Sequence, residues 1–377
     1  MMSPHSPKLS PDTWHSRTNA ALAWTRRSIA ATQGQGSAHS YSPIWGWARA
    51  YPETTGYLIE TLLRYAKLTA DDTLRQLAFQ CGDWLCSVQL PSGAFSGGTA
   101  GGTRPSVFNT AQILFGLLKL DAEILSEENA IQINPVSPYR TALKLALGWL
   151  MENLGQDGAW RTAAYVRGFV PSYYTRAVWG ALVAAQHLRQ NALLEQLRRA
   201  LSFYSLRIRS DGTVADWGLR PGPWAFTHTL AYTYEGFWES ALLLQDTVVQ
   251  EQILQIGTAF LAQRDKAGRT AGRYGAQWAA DLSFQCPTGT AQLSVWYFRL
   301  WEHTGSARFR QASYELLTEA LEAQWMKAGP NRYGALPGST PLWGPYLRWR
   351  YPNWGVKFLL DALANWAPDR QVPGISS

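Results

Sequence analysis

Cysteine, methionine and charge are all scarce in this chain of 377 residues, which has three cysteines, four methionines and 16% charged residues. Cys81, Cys86 and Cys286 are too few for a disulfide framework. Cys81 and Cys86, five apart in one amphipathic segment, read as small buried residues. No apolar run approaches the roughly 20 residues of a membrane span, and the opening MMSPHSPKLSPDTWHS lacks the apolar centre of a signal peptide. A cytoplasmic location is therefore expected. A net charge of +7 comes with no basic run and no helix-turn-helix, RNA-recognition or zinc-finger pattern, which argues against nucleic acid as a partner.

Aromatic residues and an internal repeat are what the chain has in quantity. There are 19 tryptophans and 17 tyrosines, well above ordinary usage. Six nearly all-apolar segments open alike: PETTGYLIETLL, VFNTAQILFGLL, SYYTRAVWGALV, FTHTLAYTYEGF, CPTGTAQLSVWY and YPNWGVKFLLDAL. Their aligned anchors are Thr55, Thr110, Thr175, Thr229, Thr288 and Trp354. Each is preceded by a segment with one apolar and one charged face at helical period, such as TALKLALGWLMENL or LEQLRRALSFYSLRI. A hairpin of this kind cannot bury its apolar helix alone, so the units must pack side by side. The expected fold is all-α, an (α/α)6 toroid of six helical hairpins in one domain over residues 14–366, with tails at 1–13 and 367–377. Turns such as SDG and QDG allow short strands in the loops. The inner helices all point the same way, so their N-termini and entry loops share one rim.

The rim loops are long for a compact domain, a sign of function. They carry Trp160, Trp217, Trp224, Trp278, Trp343 and Trp349 together with Arg104, Arg161, Arg167, Arg220, Arg269, Arg273, Arg348 and Arg350. Flat aromatic faces stack on sugar rings, and guanidinium forks pair with carboxylate, sulfate or phosphate. An anionic glycan suits both. The competing reading is that the indoles wedge the loops together and the arginines decorate the surface.

The turns VQLPSGAF and NLGQDGAW, with the hairpin repeat, resemble those of the α/α-toroid superfamilies, the six-hairpin glycosidases and the toroid uronate lyases and epimerases among them. YPETTGY, HTLAYTYEG, CPTGTAQ and YPNWGVKF are similar to segments of bacterial proteins associated with polysaccharide production. The resemblance covers nearly the whole chain and is architectural, without a catalytic signature. It implies carbohydrate chemistry, but the same fold serves terpenoid and lanthionine cyclases, so chemistry must be argued from the site. The acidic D-x-D-D of triterpene cyclases is missing. Cys286 and His228 stand where lanthionine cyclases hold zinc, but the second cysteine is lacking, so neither metal nor cofactor is expected.

Polar residues at the inner-helix entries form the candidate site. Glu53, His228, Tyr232, Asp281 and Asp216 are the catalytic candidates. Asn109, Tyr174, Arg176, Asn353 and Lys357 at the helix entries, with Trp160, Trp217, Trp278, Trp343 and Arg348 from the loops, are the candidates for substrate binding. Hydrolysis needs an acid and a second carboxylate across the bond, here Glu53 with Asp281 or Asp216, whose neighbouring indoles would raise a carboxyl pKa. Uronate lyase or C5-epimerase chemistry would draw on Asn109, Arg176, His228 and Tyr232 instead. Glu235 and Glu239 share a helix face with His228 and need partners if buried, Arg176 being one. A non-catalytic glycan-binding protein and a terpenoid-type toroid with a dry aromatic cavity remain as alternatives.

Overall fold

The computed structural model describes residues 9–128 and 137–368; residues 1–8 and 369–377, most of the two expected tails, lie outside it. Twelve helices alternate between an outer and an inner layer among the described residues. The outer ones are α1 (Pro11–Ala30), α3 (Asp72–Val88), α5 (Pro138–Glu152), α7 (Leu194–Ser205), α9 (Thr247–Ala267) and α11 (Ala307–Ala323). The inner ones are α2 (Pro52–Thr69), α4 (Val107–Glu128), α6 (Thr175–His187), α8 (Thr227–Leu244), α10 (Pro287–Thr304) and α12 (Asn353–Asn365). Each inner helix packs on the next, and α12 packs on α2, which closes the ring. The fold is the expected (α/α)6 toroid. The first helix begins at Pro11, inside the segment read as tail.

Two features of the sequence explain the inner ring. At three of the six anchors a threonine ties the inner helix to its entry loop or neighbour: Thr55 Oγ1 accepts from the Ser37 N–H at 3.0 Å, Thr110 Oγ1 from the Phe95 N–H at 2.9 Å, and Thr175 Oγ1 donates to the Thr233 carbonyl at 2.9 Å. Glycine one position beyond the anchor, or up to about two turns deeper, lets adjacent inner backbones touch. A Cβ on Gly236 would overlap the backbone nitrogen of Arg176, and one on Gly289 that of His228.

Side-chain caps are commoner in the outer layer, although α7 and α11 lack them and inner α4 has one, Ser106 Oγ accepting from the Asn109 N–H at 3.3 Å. Outer helices α1, α3, α5 and α9 are capped by the side chains of Ser10, Asp71, Ser137 and Asp246. Inner helices α2, α6, α8, α10 and α12 have no side-chain cap. Their leading N–H groups and positive dipole ends therefore face the shared rim. Short strands form in the rim loops, as the turn residues suggested. One sheet has the order β2 (Gly46–Trp47), β1 (Ser40–Ser42), β6 (Tyr351–Pro352); the other has β3 (Ala225–Phe226), β4 (Arg273–Tyr274), β5 (Ala280–Asp281). All four pairings are antiparallel.

Candidate active site

A cavity of about 170 Å³ opens on this rim. Its inner wall comes from the helix entries: Glu53 of α2, Phe108 and Asn109 of α4, His228 and Tyr232 of α8, and Trp354 of α12. Loop residues complete it, with His39, Tyr51 and Tyr346 inside and Tyr165, Leu219 and Leu347 toward the mouth. The aromatic rings brace one another. Tyr232 meets Phe108 and Phe358 edge-on, and the Trp354 indole N–H donates to the Tyr346 hydroxyl at 2.8 Å.

Glu53 is the one carboxylic acid in the lining. Its Oε2 accepts a 2.5 Å hydrogen bond from the Tyr51 hydroxyl, and the Tyr57 and Tyr232 hydroxyls lie 3.1 Å apart beside it. Burial pushes the Glu53 carboxyl up to about 7, against the stabilising pull of Tyr51, Arg176 and Tyr57. At neutral pH it is therefore poised between acid and base.

His228 is held neutral and oriented. Burial, aided by Arg176, pushes its imidazole down to about 3. Its Nδ1 is 2.9 Å from Gln292 Oε1, while Gln292 Nε2 donates to Glu235 at 2.6 Å. The amide oxygen of Gln292 thus accepts from His228 Nδ1–H, which leaves Nε2 as the unprotonated nitrogen. Glu235 in turn is ion-paired with Arg176, whose Nε donates to Gln112 at 2.7 Å. Burial raises the Glu235 carboxyl, and the Arg176 guanidinium beside it opposes the rise. Arg176 is thus a buried strut beneath Tyr232, its Cζ 5.0 Å from the ring centre, and it orients His228 through Glu235 and Gln292.

The structure brings Glu53, Asn109, His228 and Tyr232 into one cavity and places the other sequence candidates elsewhere. Asn109 is itself held by Ser96 and Ser106, at 3.0 Å each. Asp281 does not line the cavity: Arg273 Nε at 2.9 Å and Ser283 hold its carboxyl below the usual range, the opposite of a general acid. Asp216 lies in a half-exposed loop 3.6 Å from Arg207. The indoles that were to perturb these acids turn inward. Trp278 donates to the Asp211 carbonyl at 2.6 Å and packs edge-on against Trp217, and buried Trp160 donates to Leu150. All three are loop wedges. Tyr174 stacks on Phe108, and Asn353 donates to Thr54 Oγ1 at 2.6 Å behind the wall. Lys357 is paired with Asp361, and Glu239 with Arg299. Trp343 and Arg348 are exposed on the outer rim.

Sequence reasoning passed over Tyr51, Tyr57, His39, Tyr346 and Gln292. Tyr51 carried a signal, two residues before the acid that it bonds. Gln292 carried one too, a polar residue four positions beyond the anchor of α10 on an otherwise apolar face. Among the described residues no group of three His, Cys, Asp or Glu side chains is placed to hold a metal, and no helix is long and apolar enough to cross a membrane.

No protein-family model matches the chain, and no curated protein matches it. Solved structures do. An unsaturated glucuronyl hydrolase specific for heparin superimposes with a TM-score of 0.72 at 14% identity, over 94% of this chain and 97% of that one. The unsaturated glucuronyl hydrolase from Bacillus sp. GL1, described as responsible for glycosaminoglycan degradation, gives 0.68 at 13% identity over 93% and 96%. An alpha-amylase from Clostridium perfringens gives 0.66 at 10% identity over 93% and 98%. The chain shares their fold. At such identities the likeness speaks for the fold alone, and the chemistry rests on the cavity.

Proposed function

We propose that this protein hydrolyses the bond to a terminal acidic sugar of a glycan, with that sugar seated in the cavity. The observation that carries the reading is the pairing, in one aromatic cavity, of a carboxyl raised to about 7 with an imidazole held neutral. Glu53 is the proton donor. His228 Nε2, held unprotonated, accepts a hydrogen bond from a water and orients it, and the water's proton passes to the Glu53 carboxylate left by the donation as its oxygen bonds to the ring carbon. A saturated glycoside calls for two carboxyls across the bond. A sugar with a ring double bond needs one: a proton delivered to one alkene carbon lets water bond to the other, and the hemiketal so formed opens at its ring C–O bond to leave a hemiacetal at C1 that breaks down to an aldehyde and the freed glycan. The single carboxyl of the lining suits the latter, and the similar folds named for unsaturated glucuronyl hydrolysis support the choice.

Charge supports an acidic ligand. Arg104, Arg167, Arg220 and Arg348 are exposed, have no carboxylate partner among the described residues, and lie within two positions of the lining residues Ser106, Tyr165, Leu219 and Leu347. The acidic rim residues Asp157, Asp216 and Asp281 are already paired with arginines. The rim therefore presents spare positive charge around the mouth, to which the uncapped inner-helix N-termini add.

The same lining favours one second reading. With no second carboxyl, Glu53 and His228 could instead exchange a proton at C5 of a uronic acid, as a lyase or epimerase does. Ultraviolet absorbance separates the two. Incubated with unsaturated-uronate disaccharides cut from heparin or chondroitin, a hydrolase of the proposed kind removes the double bond and absorbance falls. On an intact polyuronate a lyase creates one and absorbance rises. No change with either, and no release of solvent deuterium into the uronate, would leave a binding protein.

A further inference from the structure

Four side chains that the cavity does not use make a strip leading away from its mouth. Trp45 stands at the turn between β1 and β2, 62% exposed, and the Arg350 guanidinium lies 5.2 Å over its ring. Next to Arg350 in the chain, Trp349 meets Trp343 at 6.2 Å, and Trp343 is 60% exposed. Arg350 is anchored to Ser40 Oγ at 3.2 Å and lies close enough to His39, in the cavity wall, to help depress its pKa. The strip is thus continuous with the cavity.

Its backbone is locked in place. Leu347 and Trp349 both have positive φ, 51° and 59°, a region that L residues rarely enter. Trp349 N–H bonds to the Leu342 carbonyl at 2.9 Å, Gly338 N–H to the Arg350 carbonyl at 2.9 Å, and Ser339 Oγ accepts from the Tyr346 N–H at 3.0 Å. This fold of the loop gives Tyr346 and Leu347 to the cavity and Trp349 to its pairing with Trp343. The strained loop keeps three of these side chains, Trp343, Trp349 and Arg350, in the rim, and Trp45 joins them from the β1–β2 turn; exposed aromatic surface of this kind marks a ligand site.

We infer that Trp45, Arg350, Trp349 and Trp343 hold the sugars from the third ring onward, the first lying in the cavity and the second at its mouth, so the protein selects oligosaccharides over disaccharides. This rests on the glycan reading of the cavity. Indoles offer flat faces to successive rings, and the guanidinium between them offers a fork for a carboxylate or sulfate on the same chain. The occupant is the substrate's own continuation, because the strip begins where a chain leaving the cavity emerges. A protein partner would call for a broader aliphatic face than this narrow alternation of rings and charge.

The test is a length series. Unsaturated-uronate di-, tetra- and hexasaccharides cut from heparin and from chondroitin are titrated calorimetrically into the wild-type protein and into Trp45→Ala, Trp343→Ala and the double variant. Both indoles are exposed, so the variants should keep the wild-type Tm. Wild-type affinity should climb from di- to tetrasaccharide, and the double variant should lose roughly tenfold for the tetrasaccharide while binding the disaccharide as before. In turnover the loss should fall on KM, with kcat unchanged. Equal wild-type affinity for di- and tetrasaccharide would overturn the strip and leave the cavity reading standing. Binding of none of these glycans by the wild type would overturn both.

Discussion

Glu53 sits where two electrostatic demands oppose each other. Its place in the first turn of α2 favours the ionised form, while burial among Tyr51, Tyr57 and Tyr232 favours the neutral one, and burial wins. A carboxyl whose folded pKa is raised from 4.5 to about 7 binds its proton more tightly folded than unfolded. Stability from this group is therefore present below about 4.5 and lost as pH rises to about 7, a change of order 3 kcal/mol. Glu53→Gln should raise Tm at pH 8 and change it little at pH 4, as thermal denaturation at both values would show; equal shifts would contradict the burial argument. The same substitution should lower kcat by about 10²- to 10⁴-fold, and wild-type kcat/KM should decline above about pH 7 as the acid form is lost. His228 has the opposite sign. Its folded pKa lies below its unfolded one, so its contribution is lost as pH falls from about 6.5 to 3. His228→Gln should narrow the gap between Tm at pH 7 and at pH 4. That Glu53 and His228 face one cavity was legible from their place relative to the repeat anchors. That Asp281 is not their partner was not, because its state depends on Arg273, eight residues away on the neighbouring strand.

At the level of helices and loops, the repeat signature has a physical meaning that can be measured. Threonine at the anchor supplies hydrogen bonds across the entry, and the glycines admit the next backbone. Gly289→Ala would force α10 away from the first turn of α8, where the added methyl meets the backbone of Thr227 and His228. A loss of about 1 to 3 kcal/mol in chemical denaturation is expected, together with lower activity from a displaced His228. An unchanged denaturation midpoint would mean that the helices can separate freely. The hairpins could be read from apolar period and anchor spacing, since a helix that is apolar all round has to be covered by its neighbours. The loops could not. Trp160, Trp217 and Trp278 have the composition of a sugar platform, but each turns its N–H to a backbone carbonyl and fills the space under the hairpin turns. Composition does not say which way an indole points, and that decides between wedge and ligand.

Across the whole molecule, ring closure gathers six helix entries that lie up to 301 residues apart in sequence, so that Glu53 of the first and Trp354 of the last line the same cavity. Closure also collects the exposed arginines of four loops around one mouth. Affinity for an acidic oligosaccharide should therefore fall several-fold between low and physiological salt, because exposed charges are screened over about 8 to 10 Å. A neutral oligosaccharide should bind weakly and without salt dependence; equal affinity for the two would remove the charge argument. Turnover in ¹⁸O-water tests most directly whether Glu53 drives hydrolysis of a terminal acidic sugar. With an unsaturated-uronate disaccharide, wild-type protein should release two monosaccharides, one of them carrying a single ¹⁸O, while Glu53→Gln with an unaltered fold should release them at least about a hundredfold more slowly. Label-free products, or full activity in the Glu53→Gln variant, would contradict it.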